Sequence, residues 1–370
     1  MPVQTSYEDL IPVDEPVAVE GRLYYDSADQ VLKYHNGTEW VTLGEVVEEG
    51  YSGFDNNGGG AWTKYINIPI TVTPSEYAQY KVVIDPTNVT VYSADGTQKA
   101  QGTVAPDFWV NVKTDGTDIR VFDEAKSQLY FYIENFDYTN KQATILVKVT
   151  AGTTELNIAY GNPLAMKSVC EDPEQVFEFF DDFDRTVLGG DYYVRTGTGY
   201  SVHDSVLDMS VDATIQIESV TKFNGYNDKL ILEQKIRNRN TRLVGWARWS
   251  GSSYFNDWAG LRDRPDSRFY IETNNDEWVI LYDLNDAQWK ILRLEWTDTM
   301  MRLSALSLDY TQIVSLTKTP SDGDGIQQGD LQFVWYVYSG DSSQVLEIDW
   351  VRVLKLADPA DFGIPQILEF

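Results

Sequence analysis

Along most of this chain, apolar and polar residues alternate in short runs broken by Gly, Pro, Asn and Asp. That two-residue period predicts strands with one face buried. Three such runs come first: Leu23-Tyr24-Tyr25, Val31-Leu32-Lys33-Tyr34 and Trp40-Val41-Thr42-Leu43. Asn36-Gly37, between the second and third, predicts a two-residue type I′ hairpin, because both residues tolerate positive φ. A meander this small needs a partner to cover its aromatic rings, so it reads as an attachment or assembly element. The acidic, then glycine-rich stretch behind it ends in Asn56-Asn57-Gly58-Gly59-Gly60 and has the composition of a connector.

Two longer series follow. Segments 66–72, 81–84, 89–92, 108–112, 119–122, 129–134, 143–150 and 155–160 predict a β-sandwich. A break over 166–175, holding Cys170 and Pro173, precedes a second series. Its segments are 201–203, 206–209, 214–220, 229–236, 243–249, 259–262, 268–272, 278–282, 288–296, 301–307, 312–316, 331–338 and 346–354. So many strands with no amphipathic helix between them predict a large two-sheet jelly-roll. The chain divides accordingly into an N-terminal meander with its linker (residues 1–50), a β-sandwich (51–167), a jelly-roll (168–357) and a C-terminal tail (358–370). The expected fold class is all-β, with two consecutive β-sandwich domains behind a small β-meander.

Composition narrows the partners. With 29 Lys and Arg against 57 Asp and Glu, the formal charge of −28 repels phosphate, which excludes nucleic acid and anionic lipid as partners. Such acidity serves solubility first, and leaves divalent cations or a basic partner open. Cys170 is the only cysteine, so the chain makes no internal disulfide and no cysteine-based zinc site. His35 and His203 are the only histidines, each in a turn-like polar setting, which argues against a His-paired nucleophile or a multi-His metal centre. Residues 1–19 have neither the basic start nor the apolar core of a secretion signal, and no stretch is apolar enough to span a bilayer. Export by the ordinary route is therefore not expected; a role outside cells would fit assembly into a particle released on lysis, as for a virus.

Resemblances sharpen this reading. Trp62, Tyr65, Ile68-Pro69-Ile70, the run Asp115-Gly116-Thr117-Asp118-Ile119-Arg120-Val121-Phe122 and the ending Ala159-Tyr160-Gly161-Asn162 resemble an uncharacterised β-domain family found directly before lectin modules. Folding alone also explains these residues, as turn glycines and core strand positions. The opening Phe180-Asp181-Asp182-Phe183-Asp184-Arg185, the strand Ser205-Val206-Leu207-Asp208-Met209 and the closing Leu346-Glu347-Ile348-Asp349-Trp350-Val351-Arg352-Val353 resemble a concanavalin A-like, laminin G-type lectin and glucanase jelly-roll. That resemblance implies pairing of the first and last strands. The N-terminal meander is similar to segments of phage tail-fibre and other virion proteins.

Candidate chemistry follows from these stretches. Trp246, Trp249, Tyr254, Asn256 and Trp258 concentrate aromatic faces and polar groups suited to a shallow glycan site; the competing account sends Trp246 and Trp249 into the core or a subunit contact. Glycosidases of the jelly-roll kind carry a Glu, Asp, Glu strand motif. Glu347 and Asp349 imitate its first two members, but Val351 and Arg352 supply no second glutamate, and Glu347 and Asp349 then read as partners for Arg or Lys on neighbouring strands. Asp322, Asp324 and Asp330, and the cluster Asp181, Asp182 and Asp184, invite calcium without matching a complete calcium loop, and turn or capping roles account for them equally. No other cofactor is implied.

The expectation is thus a non-enzymatic virion structural or adhesion protein, of tail-fibre or spike type. It would be located on the virion surface as a homo-oligomer, a trimer being what the resemblance to fibres implies, and would contact other virion proteins and host surface glycan. A secreted or cell-surface carbohydrate-binding adhesin is the alternative, and a polysaccharide-degrading jelly-roll enzyme stands behind it.

Overall fold

The computed structural model describes residues 23–26, 31–35, 38–45, 51–55, 58–210, 214–239, 243–249, 255–262, 268–273, 276–281, 288–319, 330–337, 345–356 and 360–370. The fold is all-β, as the alternation predicts. Leu23–Asp26 (β1), Val31–His35 (β2) and Trp40–Glu45 (β3) form the antiparallel N-terminal meander. Its second ladder starts with His35 opposite Trp40, and the turn expected at Asn36-Gly37 falls between these two strands. Asn36 and Gly37 themselves lie outside the described residues. His35 is also not in a polar turn: it is buried edge-on against Trp40, with ring centroids 5.0 Å apart.

The first sandwich is built from Lys64–Val72 (β4), Ala78–Ile84 (β5), Val89–Ser93 (β6), Gln98–Gly102 (β7), Arg120–Phe122 (β8), Phe131–Asp137 (β9), Gln142–Val149 (β10) and Glu155–Tyr160 (β11). One sheet runs β7-β6-β5-β10-β9, and the other contains β4, β11 and β8. Alternate residues Ile66, Ile68 and Ile70 of β4 enter the core with Val82, Val91, Ile145, Val147 and Ile158. The segment 108–112, expected as a strand, is instead the end of a helix, Ala105–Asn111 (α1). Pro106 and Asp107 open its first turn, where a missing N–H costs nothing and a negative charge meets the helix dipole. Ala105, Phe108, Trp109 and Val112 are buried at helical spacing.

A single turn, Pro173–Val176 (α2), capped by the Asp172 carboxylate, leads into the second sandwich. Its strands are Phe179–Asp181 (β12), Tyr192–Thr196 (β13), Ser201–His203 (β14), Val206–Ser210 (β15), Ile215–Ser219 (β16), Leu230–Arg239 (β17), Leu243–Trp249 (β18), Phe255–Arg262 (β19), Arg268–Thr273 (β20), Asp276–Leu281 (β21), Lys290–Trp296 (β22), Met301–Leu306 (β23), Gln312–Lys318 (β24), Gln332–Val337 (β25) and Val345–Lys355 (β26). A helical turn, Gly225–Asp228 (α3), precedes β17. One sheet runs β14-β15-β26-β17-β22-β23-β24 with β12 on β26, and the other runs β13-β16-β25-β18-β19-β20-β21. Pairing of β12 with β26 closes the jelly-roll, as the resemblance implies. Between the sheets lie Leu207, Leu232, Leu294, Leu303, Phe333, Trp335, Ile348 and Val351. Residues 358–370, read from sequence as a tail, contain Asp361–Phe362 (β27) and Gln366–Glu369 (β28), both of which pair with β4 of the first sandwich.

The two sandwiches touch sheet to sheet. Leu146 and Ala94 of the first meet Val176, Phe177, Ile231 and Leu354, with Tyr132 and Phe180 packed beside them. This contact positions the site described next.

Candidate functional site

Strand β17 sends Leu232, Gln234 and Ile236 into the jelly-roll core and Glu233, Lys235 and Arg237 to the opposite face, where the first sandwich lies. Glu233 is fully buried there. Arg293 donates to its Oε1 from Nε at 2.7 Å, and Arg352 donates to its Oε2 from Nε at 2.8 Å. Arg352 also reaches across to Glu134 of β9 (2.7 Å) and donates to the Tyr310 hydroxyl (2.5 Å), which itself donates to Glu134 (3.0 Å). Arg293 donates to the Asp95 carbonyl of the first sandwich at 2.9 Å. The interface is therefore a charge network in which each buried ion has a partner, the condition under which buried charge is tolerated. Burial alone would raise the Glu233 carboxyl, but Arg293 and Arg352 outweigh it and hold the group down at about 2. Burial works against the Arg352 guanidinium too, yet Glu134, Tyr310 and Glu233 hold it well above its ordinary value. Gln79 completes the seam by donating to the Val176 carbonyl (2.8 Å) and accepting from the Lys355 N–H (2.7 Å).

Beside this seam opens a cleft of about 410 Å³, within the size range of small-ligand sites. The first sandwich contributes Tyr132 and Glu134; the jelly-roll contributes Phe180, Asp182, Asp184 and Ser205 on one side and Lys235, Asp349, Trp350 and Arg352 on the other. Local backbone features aim these groups. Glu134 is the extra residue of a β-bulge, since Asn135 pairs with Thr144 and Ile133 with Ile145. Asp349 is the extra residue of a second bulge, between Trp350 opposite Lys235 and Ile348 opposite Ile236. That bulge lets Ile348 and Val351 both enter the core while Trp350 and Arg352 face the cleft. Ser205 sits in the β14–β15 hairpin, where Asp204 (φ 50°) and Ser205 (φ 57°) both take the left-handed conformation that a type I′ turn requires.

The lining combines aromatic faces with polar groups that lack protein partners. Phe180 stacks on Phe177 at 5.4 Å and lies 5.2 Å from Tyr132. Arg352 covers one face of Trp350 at 4.6 Å. Among the described residues, the Tyr132 hydroxyl, the Ser205 hydroxyl, the Trp350 indole N–H and the Asp184 carboxylate make no hydrogen bond within the protein. The carboxylates of the glycosidase-like stretch are engaged: Glu347 by Nε and Nη2 of Arg237 and Asp349 by Lys235, both cations from β17. The third position of that motif is held by Arg352, locked in the buried network.

Sequence candidates fare unevenly. Trp246 is opposite Ala259 and Phe333, while Trp258 is opposite Ala247, so the two tryptophans occupy ladder positions of opposite parity. Asn256 is the extra residue of the bulge between Trp249 opposite Phe255 and Arg248 opposite Asp257. The side chains of Trp246, Trp249, Asn256 and Trp258, and all of Tyr254, lie outside the described residues. So do Asp322 and Asp324; Asp330 is exposed and accepts from the Asn224 amide at 3.0 Å. Asp181, Asp182 and Asp184 do not converge on a cation site. Asp181 accepts from the Phe183 N–H (2.8 Å) and the Tyr192 hydroxyl (2.6 Å) and pairs with Arg185, while Asp182 accepts from the Asp184 N–H (3.2 Å). Among the described residues no group of His, Cys, Asp and Glu is arranged to hold a metal ion. The cleft residues Tyr132, Ser205 and Lys235 were not candidates, because nothing local in the sequence distinguishes them.

A family model described as a domain of unknown function, DUF2341, matches residues 115–192. The match runs from the turn before β8 through β11, α2 and β12, so it includes the junction between the sandwiches. It contains the 115–122 and 159–162 stretches that carried the resemblance to an uncharacterised β-domain, while Trp62 and Tyr65 fall outside it. A comparison with curated proteins finds no match. Similar solved structures include an endo-β-1,3-glucanase from Pyrococcus furiosus, at 9% identity over 50% of this chain and 95% of that one, with a TM-score of 0.36. A glycoside hydrolase family 16 endo-glucanase from Bacteroides ovatus has 14% identity over 48% of this chain and 99% of that one, with a TM-score of 0.34. The laminarinase from Rhodothermus marinus has 14% identity over 49% and 98%, with a TM-score of 0.37.

Proposed function

We propose that this chain is a non-enzymatic glycan-binding protein that serves adhesion at a particle surface, with the cleft between its two sandwiches as the binding site. The observation that carries the reading is the cleft lining, in which the rings of Trp350 and Phe180 stand beside hydroxyl, indole and carboxylate groups that make no hydrogen bond among the described residues. Sugars present apolar C–H faces to aromatic rings and satisfy their hydroxyls with such groups. Ion pairing of Glu347 and Asp349, together with Arg352 in place of a second glutamate, supports binding without hydrolysis. The particle setting rests on the expectation drawn from the sequence of the N-terminal meander.

The test is a glycan-array screen of the whole protein and its Trp350→Ala variant, run beside a reducing-end assay on each glycan held. Binding that disappears in the variant, with no new reducing ends, supports the reading. Release of reducing ends that stops in Glu347→Gln would replace it with a hydrolase, and binding unaffected by Trp350→Ala would move the site elsewhere. Recovery of the chain with intact particles after gradient purification tests the setting.

A further inference from the structure

We infer that the first sandwich is a working wall of the glycan site, with Tyr132 as a specificity-determining residue, and that the cleft selects uncharged over acidic saccharides. The inference rests on the reading above. Tyr132 is held by ring contacts to Phe177 at 5.9 Å and Phe180 at 5.2 Å, which fix the ring while its hydroxyl makes no hydrogen bond to any described residue. Tyr132 lines the cleft together with Trp350 and Ser205 of the jelly-roll, so a sugar seated on Trp350 meets side chains of both domains. The spacing between the walls is set by the protein: Glu134 is tied to Arg352 across the seam, Arg293 to the Asp95 carbonyl and Gln79 to the Lys355 N–H. A site spaced in advance spares the ligand the ordering of two domains.

Charge defines the ligand class. Both cations of the cleft are already matched, Lys235 by Asp349 and Arg352 by Glu134 and Glu233. Asp182 and Asp184 are exposed at the same cleft, and neither has an ion-pair partner among the described residues. Among the described residues, a uronate or sulfate entering the cleft therefore finds unmatched carboxylates and no unmatched cation, whereas the hydroxyls of an uncharged sugar find acceptors.

The experiment measures the affinity of the whole chain for arrayed neutral and uronate-bearing oligosaccharides of equal length, using the wild type, Trp350→Ala, Tyr132→Phe and the double variant Asp182→Asn with Asp184→Asn. Tyr132→Phe keeps the ring packing and removes only the hydroxyl. It should weaken neutral-oligosaccharide binding about two- to tenfold, the worth of one hydrogen bond, with an unchanged melting midpoint. The double variant should narrow the preference for neutral over acidic oligosaccharides. Loss of binding in Trp350→Ala with none in Tyr132→Phe would overturn the inference and leave the binding reading standing. Binding of uronates as tight as of neutral sugars would overturn the ligand class. No binding to any arrayed sugar, or binding indifferent to Trp350→Ala, would overturn the binding reading itself.

Discussion

Glu233→Gln is the sharpest probe of the buried seam. The substitution preserves shape but removes the charge that lies between Arg293 and Arg352 and turns one of the two accepting oxygens into a donor amide. In the folded protein the Glu233 carboxyl is held at about 2, against an ordinary value of 4.5. At about 1.4 kcal/mol per pH unit, that depression corresponds to about 3 kcal/mol of folding stability. Because the folded value is the lower one, this contribution is fully present above pH 4.5 and is lost as pH falls from there toward 2. Removing one partner of a buried ion pair costs about 3–5 kcal/mol. The lower end applies, since Arg352 keeps Glu134 and Arg293 keeps the Asp95 carbonyl. Urea unfolding of both proteins, followed by tryptophan fluorescence from neutral pH downward, gives the difference in stability at each pH. Acids common to both proteins cancel in that difference. A gap near 3 kcal/mol at neutral pH that closes as the pH drops toward 2 is expected. A gap below about 1 kcal/mol at neutral pH, or one that stays constant over the acid range, would refute the assignment of Glu233 as the charge holding the seam.

Two further substitutions test the packing on either side. Phe370→Ala removes a ring that stacks on Tyr51 and packs against Phe54, Tyr65 and Phe122, and should cost about 1–3 kcal/mol. Calorimetry should show the loss in the first sandwich, and an unchanged melting profile would mean that the last residue contributes nothing to that cluster. Gly225→Ala drives a methyl group into the ring of the fully buried Trp296 and should destabilise the jelly-roll by about 1–3 kcal/mol. A variant as stable as the wild type in urea would show that α3 shifts freely.

The fold was legible wherever alternation runs unbroken. Strand β4, with Ile66, Ile68 and Ile70 buried, was readable that way, whereas β26 was readable as the closing strand of the jelly-roll only through its resemblance, since the bulge at Asp349 breaks its alternation. Helix α1 was misread because Phe108, Trp109 and Val112 have strand-like side chains; Pro106 and Asp107 just before them, and burial at Ala105, Phe108 and Val112, were the helical signal. The site was harder to see. Glu134 and Arg352 are 218 residues apart, and the alternation of their strands makes both look solvent-facing. Only the arrival of another domain buries Arg352 and half-buries Glu134. The bulges that turn Glu134 and Asp349 into the cleft depend on partner strands, so no local pattern announces them. Aromatic density around Trp246 drew attention for the opposite reason: it is conspicuous along the chain, yet density does not say which face of a sheet a ring occupies.

The return of β28 to β4 has a mechanical consequence. Glu369 pairs with Lys64 and Gln366 with Asn67, so the entering end of β4 lies beside the leaving end of β28. Tension applied to the chain before β4 and after β28 would load those bonds one at a time, in unzipping geometry, beginning where the Phe370 N–H donates to the Thr63 carbonyl. The jelly-roll, looped out between β11 and β27, would carry none of that load until β28 had peeled away. A pull along the chain would thus open the first sandwich at its edge while leaving the seam and its cleft intact.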